Sequence, residues 1–143
     1  TEIEWLKLLM KYRDELLTCP HCGYEYIYGF EEKRKYDVCP SCGKSTKDVC
    51  ILTVNKSKIV LEPEKCLYLC HLDKYTADYR TAVGKVVVNK NNPSLWGIKL
   101  ALDNSVEIKD SDGNEKIIAG SGVVPIIRNL KIKFDENTTG EIK

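Results

Sequence analysis

The chain has 143 residues, of which 43% are hydrophobic and 30% are charged, and its formal net charge is +1. This length fits one ordinary domain joined to a small metal-stabilised module. The near-neutral charge gives no bulk attraction to nucleic acid or to an anionic membrane, and no apolar run approaches the roughly 20 residues of a membrane-spanning helix.

Residues 1–17 have the spacing of an amphipathic helix, and Thr1 with Glu4 forms a capping-box pattern at its start. An apolar face this broad needs a surface to lie against. That surface is either the rest of this chain or a preceding domain of a longer polypeptide, of which this would be the last helix. The helical pattern leaves both open. Its apolar residues are Ile3, Trp5, Leu6, Leu8, Leu9, Met10, Leu16 and Leu17.

Two Cys-Pro-x-Cys-Gly motifs follow the helix, separated by a loop. A Cys-x-x-Cys turn brings two thiolates to one metal ion, and two such turns complete the four-sulfur tetrahedron of a structural zinc site. Paired disulfides are the alternative, but a Cys-x-x-Cys disulfide closes a strained small ring. A four-thiolate shell leaves no position for water, so we expect the metal to stabilise the fold and not to catalyse a reaction. We therefore predict a structural Zn²⁺ bound by Cys19, Cys22, Cys39 and Cys42.

The loop between the two motifs predicts the hairpin of a zinc ribbon, which we assign to residues 18–47. Tyr24, Tyr26 and Tyr28 alternate along its first strand and form one aromatic face. This face either packs on the neighbouring domain or stacks on the bases of a nucleic acid. The basic residues 33–35 at the hairpin tip are expected to be solvated, with contact to an anion as the alternative.

Residues 48–143 have the sequence pattern of an all-β domain, because short apolar runs alternate with polar turns and no segment has helical spacing of its apolar residues. This pattern predicts an antiparallel β-sandwich. The alternation of apolar and charged residues from Leu130 to Phe134 indicates a strand with one buried face and one solvent-exposed face. The predicted strands are 50–54, 59–61, 66–72, 82–88, 95–102, 106–109, 116–119, 123–127, 130–134 and 140–142.

The three remaining cysteines, Cys50, Cys66 and Cys70, suit a reducing compartment better than a disulfide framework, so we expect a cytoplasmic protein. A second metal site made of Cys66, Cys70 and His71 is the alternative for two of them. On a strand, however, the two cysteines would point to one face and the histidine to the other. We therefore predict core cysteines and a histidine at a sheet edge.

No catalytic motif is recognisable in the sequence: there is no Gly-rich phosphate loop, no nucleophile elbow and no HExxH helix. His21 lies inside the first Cys-x-x-Cys turn and is expected to face solvent. The aspartates lie in predicted turns, where their side chains hydrogen bond to nearby backbone, and residues 110–114 form such a turn or, alternatively, a calcium loop. We assign no catalytic residue and predict that this chain is not an enzyme.

The order of these parts resembles the C-terminal region of a group of bacterial eukaryotic-type serine/threonine protein kinases. The resemblance is carried by the helix Glu4-Trp5-Leu6-Lys7-Leu8-Leu9-Met10-Lys11-Tyr12-Arg13, the two cysteine motifs, the segment Asn92-Pro93-Ser94-Leu95-Trp96-Gly97, the Asp112-Gly113 turn and the late strands 122–125 and 131–134. It implies that residues 1–17 close a kinase C-lobe. It also implies that residues 48–143 form a forkhead-associated-like (FHA-like) sandwich.

The resemblance implies a regulatory or protein-interaction module whose partner is another protein or the kinase domain in cis. FHA-like domains commonly bind phosphothreonine peptides through loop Arg, Ser and Asn side chains. The Gly-Arg and Ser-Arg-x-x-His signatures of those loops are missing here, and Arg80 and Arg128 do not lie in matching motifs. Phosphopeptide binding therefore has no assigned residue. The alternative function is a zinc-ribbon module that associates with nucleic acid.

Overall fold

The fold was analysed in a computed structural model, which describes residues 1–28 and 38–143. Helix α1 spans Glu2–Glu15, and the Thr1 side chain accepts a hydrogen bond from the Glu4 backbone, which confirms the predicted capping box. The helix ends two residues before the predicted boundary. Leu16 takes an extended backbone conformation because the chain enters strand β1 (Leu16–Thr18), which pairs with β2 (Glu25–Ile27).

The rest of the chain forms two antiparallel sheets. The elements of this part of the chain are β3 (Cys50–Val54), β4 (Ser57–Leu61), β5 (Cys66–Tyr68), α2 (Leu69–Leu72), β6 (Ala82–Val88), β7 (Trp96–Leu100), β8 (Val106–Lys109), β9 (Glu115–Ile118), β10 (Val123–Pro125), β11 (Lys131–Asp135) and β12 (Thr138–Ile142). The six-stranded sheet has the order β4-β3-β12-β11-β8-β9, and the four-stranded sheet has the order β10-β7-β6-β5.

Both sheets contribute to one hydrophobic core, as the alternating sequence pattern predicts. Ile132 and Phe134 of β11 are buried while the lysines between them are exposed. Opposite them, Val86 of β6 and Ile98 of β7 join the same cluster. Each of the ten predicted runs contains a strand. The run 66–72 differs from the prediction, because it is a strand only as far as Tyr68 and continues as the single helical turn α2.

Helix α1 docks on the β domain through its C-terminal half, in which Met10 and Lys11 are half-buried. Asp14 and Glu15 are its buried residues, and the helix packs beside β4. Of the predicted apolar residues, Leu17 is buried and Met10 and Leu16 are half-buried, whereas the others stay exposed, so the described chain does not cover this part of the face. The exposed residues of this face are Ile3, Trp5, Leu6, Leu8, Leu9 and Tyr12. Neither helix of the described segments is long and apolar enough to cross a membrane.

Candidate metal centre

The first cysteine motif folds into a tight backbone turn. The Cys19 N–H donates to the Tyr24 carbonyl at 2.8 Å, and the Gly23 N–H donates to the Cys19 carbonyl at 3.0 Å. Gly23 has a φ of 76°, a left-handed conformation that residues with a side chain rarely adopt. The His21 N–H points at the Cys19 sulfur from 3.4 Å. The sequence Cys-x-x-Cys-Gly therefore builds a turn whose N–H groups face a sulfur.

The second cysteine motif repeats this turn with the same contacts. The Cys39 N–H donates to the Lys44 carbonyl at 2.9 Å, and the Gly43 N–H donates to the Cys39 carbonyl at 2.9 Å. Gly43 has a φ of 72°, and the Ser41 N–H lies 3.4 Å from the Cys39 sulfur. N–H groups aimed at sulfur stabilise the thiolate form that binds metal.

The two turns bring the predicted ligands Cys19, Cys22, Cys39 and Cys42 together, and their four sulfur atoms lie within 4.8 Å of one another. The Cys19 and Cys42 sulfurs are 3.8 Å apart, and the Cys22 and Cys39 sulfurs are 3.7 Å apart. Zinc–sulfur bonds of about 2.3 Å in a tetrahedron place the sulfurs about 3.8 Å apart. All four cysteines are free thiols, so neither Cys-x-x-Cys turn closes a disulfide. The donor set fits a tetrahedral metal ion.

Two of the four thiols have strongly shifted pKa values. Burial raises the pKa of Cys19, but the N–H groups of Cys22 and His21 favour its thiolate and bring the pKa down to about 6. The N–H of Lys44 lowers the pKa of Cys42, but burial and the other thiols outweigh it and raise the pKa to about 11. The cluster therefore holds thiolate character near neutral pH, and a divalent cation displaces the remaining protons when it binds.

A small polar contact closes one side of the cluster. The Tyr26 hydroxyl donates to the hydroxyl oxygen of Thr46, a buried residue, at 3.3 Å. Burial raises the pKa of Tyr26, and the negative charge of the nearby cysteines raises it further. Tyr24 stacks on Tyr26 with ring centroids 6.2 Å apart. His21 is exposed, as predicted, and its Nε2 atom lies 3.3 Å from the Ser45 carbonyl.

Hydrogen bonds attach the ribbon to the β domain on both sides. The Thr18 N–H donates to the Glu62 carboxylate at 2.9 Å. The Arg128 guanidinium donates to the Lys47 and Val49 carbonyls, the latter at 3.3 Å. Residues 29–37, which include the basic tip at 33–35 and part of the predicted hairpin, lie outside the described residues. The described first strand of the ribbon, β2, pairs with β1.

The prediction of core cysteines and an edge histidine is wrong. His71 is 1% exposed, whereas Cys66 and Cys70 are half-buried. The chain leaves the strand after Tyr68, so the period-2 argument no longer applies to Cys70 and His71. No second cluster of metal-ligand side chains occurs among residues 1–28 and 38–143.

His71 instead belongs to a buried polar contact that the sequence did not reveal. Its Nε2 atom lies 2.9 Å from the Asp14 carboxylate, and its Nδ1 atom accepts a hydrogen bond from the Tyr68 N–H at 2.9 Å. No local signal identifies this pair, because its two residues are 57 positions apart and each lies in a different predicted module.

The side chains of Asp110 and Asn92 act as turn formers, as predicted. The Asp110 carboxylate accepts hydrogen bonds from the Asp112 and Asn114 N–H groups at 2.9 Å and 3.0 Å. The hydrogen bond from the Asn114 side-chain amide, together with these N–H contacts, lowers the pKa of Asp110. The Asn92 side chain likewise accepts from the Ser94 N–H at 3.2 Å. Among residues 1–28 and 38–143, no group of carboxylates forms a candidate metal cluster.

Comparison of this chain with protein-family models, with curated proteins and with solved structures finds no match.

Proposed function

We propose that this chain is a non-catalytic regulatory and protein-interaction module at the C-terminus of a cytoplasmic serine/threonine protein kinase. In this proposal residues 1–17 end the kinase C-lobe, residues 18–47 form a structural zinc ribbon and residues 48–143 form an FHA-like sandwich. The closed four-sulfur geometry supports a structural role for the metal, since zinc with four protein ligands offers no position to substrate. The two-sheet antiparallel architecture is compatible with an FHA-like type.

The observation that carries an interaction function is an apolar groove of about 700 Å³ beside β7 and β10. Leu95 is 55% exposed, Ile127 is 51% exposed and Trp96, which also lines the groove, is 39% exposed. Among the residues that the structure describes, Lys90 is the one charged residue that lines the groove. Exposed clusters of large apolar side chains mark protein–protein contact sites, and aromatic anchors contribute much of the binding energy there.

The groove is held in shape by its own turn, so it needs little reorganisation to bind. The Asn89 side chain accepts from the Asn91 and Asn92 N–H groups at 2.8 Å and 3.1 Å. The Trp96 indole N–H donates to the Pro93 carbonyl at 3.2 Å. The indole is therefore positioned before a partner arrives, which lowers the entropic cost of binding. The partner that we propose for this groove is the kinase domain in cis.

Two measurements test this function. The coding sequence upstream of Thr1 should encode a kinase catalytic loop, and its absence there would rule out the kinase context. If a kinase domain is encoded, calorimetric titration with this chain should detect binding that Leu95→Glu weakens at least about tenfold. Ile117→Glu is the matched control, because Ile117 is also exposed but lies on β9 in the other sheet. Equal affinity of both variants would contradict the proposed groove.

The second candidate function is a nucleic-acid-associated zinc ribbon, and it is favoured by the stacked Tyr24 and Tyr26 rings. The Tyr26 hydroxyl already hydrogen bonds to Thr46, so the more exposed Tyr24 ring is the better candidate to stack on a base. Filter retention of mixed DNA and RNA oligonucleotides at rising salt separates the two functions. Strong retention that falls steeply with salt would favour nucleic acid. Absence of retention at low salt would leave the protein-interaction function.

A further inference from the structure

A groove lies between helix α1 and the loops of the β domain beside it. Its volume is about 1010 Å³, at the upper limit of the roughly 300–1,000 Å³ that is typical of small-molecule sites. Lys7 and Met10 line the groove from the helix. The turn between β3 and β4 contributes Lys56, and the loop after α2 contributes Lys74 and Tyr79. Three parts of the chain that are distant in sequence therefore form its walls.

Hydrogen bonds hold the walls of this groove in fixed positions. The Asn55 side-chain amide donates to the His71 carbonyl at 2.7 Å, which joins the β3–β4 turn to α2. The Arg13 guanidinium donates to the Tyr79 carbonyl at 3.2 Å, which joins helix α1 to the loop after α2. The contact between Asp14 and His71 joins the same helix to α2. The groove is therefore formed before a ligand arrives, which lowers the cost of binding.

The carboxylates that line the groove are already engaged within the protein. The Asp14 carboxylate lies 2.9 Å from the His71 imidazole, and the Glu15 carboxylate lies 3.9 Å from the Lys11 ammonium. The Asp73 carboxylate accepts a hydrogen bond at 2.9 Å from the backbone N–H two residues further along the chain. These acids therefore leave other basic side chains of the groove without a counter-charge.

Three lysines of the groove carry a positive charge that no acid neutralises. Lys7, Lys56 and Lys74 are exposed, and among residues 1–28 and 38–143 none of them forms an ion pair with a carboxylate. Like charges gathered around one groove repel one another, and an anion bound between them removes this repulsion. The groove therefore favours an anionic ligand.

We propose that this groove binds a small molecule that carries a di- or triphosphate group, with Lys7, Lys56 and Lys74 on the phosphate oxygens. Lysine ammonium groups bind phosphate as point charges, and a phosphate chain carries several negative charges at neutral pH. The net charge of the whole chain is only +1, so the unpaired positive charge is local to this groove. A short polyanion therefore fits this site better than a long nucleic-acid strand, which needs an extended basic surface.

The phosphate chain has two sources, a nucleotide or an inorganic polyphosphate, and Tyr75 distinguishes them. Tyr75 lines the groove, its side chain is 87% exposed, and the Lys74 ammonium lies 5.3 Å from its ring centroid. An exposed aromatic ring beside a phosphate site stacks on a nucleotide base. An inorganic polyphosphate would use the lysines alone. This inference depends neither on the kinase context nor on the groove beside β7 and β10.

The first test titrates the zinc-loaded chain with inorganic triphosphate, and separately with ATP, by calorimetry at about 150 mM salt. We expect one ligand per chain with a dissociation constant below about 1 mM, and Lys56→Glu should raise this constant at least about tenfold. Lys116→Glu is the matched control, because it makes the same charge change on β9, at the edge of the six-stranded sheet far from β4. Circular dichroism checks that each variant is folded. Equal weakening by both variants, or no binding of either ligand at about 1 mM, would overturn the inference.

The second test separates the two sources of the phosphate chain. If the ligand is a nucleotide, ATP should bind more tightly than inorganic triphosphate, and Tyr75→Ala should remove this difference. If the ligand is an inorganic polyphosphate, the two ligands should bind equally and Tyr75→Ala should change neither affinity. Adenosine, which has no phosphate, should not bind in either case. Adenosine that binds as tightly as ATP would overturn the inference, because the lysines would then contribute nothing.

Discussion

The imidazole of His71 lies 2.9 Å from the carboxylate of Asp14 and joins the end of helix α1 to the β domain. Both side chains are buried. Since Nδ1 accepts from the Tyr68 N–H, the ring proton is on Nε2, which donates to Asp14. The histidine is thus fixed as one neutral tautomer by a backbone contact on one side and a carboxylate on the other.

Replacing His71 should destabilise the protein strongly. His71→Leu keeps the volume roughly but leaves the buried Asp14 carboxylate without its donor, and loss of one partner of a buried polar pair costs about 2–4 kcal/mol. Urea denaturation measures this loss. The double variant His71→Leu with Asp14→Leu should recover part of it, because neither side chain then needs a partner. Additive losses in the two single variants and the double variant would contradict the coupling.

Lys65 holds the same helix end by a second contact. Its ammonium donates to the carbonyls of Leu16 at 2.7 Å, Arg13 at 3.0 Å and Asp14 at 3.4 Å. Carbonyls at the C-terminal end of a helix have no hydrogen-bond donor within the helix, so they need one from elsewhere. Lys65→Met keeps the aliphatic stem and removes the donors, so we expect a loss of about 1–3 kcal/mol in the free energy of unfolding. Lys56→Met, in an exposed turn, is the control and should be near neutral.

The shifted pKa of Lys65 predicts how the stability difference between the wild type and Lys65→Met depends on pH. Burial lowers this pKa in the folded state, with the charges of Glu62 and Asp14 opposing the shift. The unfolded chain then binds more protons, so the wild type should gain stability relative to Lys65→Met as pH rises through the folded pKa toward about 10.4. A stability difference that shrinks over this window would contradict the burial of a charged ammonium.

The strands were predictable because each one is a local pattern. The run around Ile132 alternates apolar and polar residues, and turn residues such as Asp110 and Asn92 separate it from its neighbours. A period-2 pattern and a turn signal both fit within ten residues or so, and neither needs information from elsewhere in the chain. The cluster of Cys19, Cys22, Cys39 and Cys42 was predictable for the same reason, since each pair lies inside one five-residue motif.

The contacts that attach helix α1 were not predictable, because they join residues far apart in the sequence. Lys65 reaches carbonyls about fifty positions earlier, and His71 reaches Asp14 across 57 positions. The helix ends at Glu15 because of these partners and because Leu16 pairs with Ile27. Apolar Leu16 and Leu17 continue the helical spacing, so local periodicity alone placed the boundary too late.

Removing the metal should unfold the ribbon and leave the β domain folded. Thiolate ligation supplies folding energy that so small a module cannot obtain from its core, whereas the β domain has a continuous core of its own. After chelation, amide exchange should become fast in the described ribbon residues 18–28 and 38–44, and helix α1 should loosen. Amides of β11 and β12 serve as the internal control. Ribbon amides that stay protected would contradict a structural metal.

Single ligand substitutions should reproduce the effect of chelation. Cys19→Ser or Cys42→Ser breaks the tetrahedral shell, and mass spectrometry under native conditions should show less than one metal ion per chain. Cys50→Ser is the matched control, because Cys50 lies on β3 outside the cluster. Equal metal content in Cys19→Ser and Cys50→Ser would rule out this ligand set. Zinc identity itself is checked by the element detected in the wild-type protein.

Gly120 should be intolerant of any side chain because two carbonyl groups crowd its Cα atom. A Cβ atom there would overlap the Leu102 carbonyl oxygen and lie 2.7 Å from the Asn104 carbonyl oxygen, and neither can move without disturbing the backbone. Gly120→Ala should therefore destabilise the β domain by about 2–4 kcal/mol, measured by thermal or urea unfolding. Gly113→Ala is the control: Gly113 has a φ of 87° but no atom near its Cβ position, so only the conformational cost of about 1 kcal/mol applies. A smaller loss for Gly120→Ala than for Gly113→Ala would contradict the close approach of these two loops.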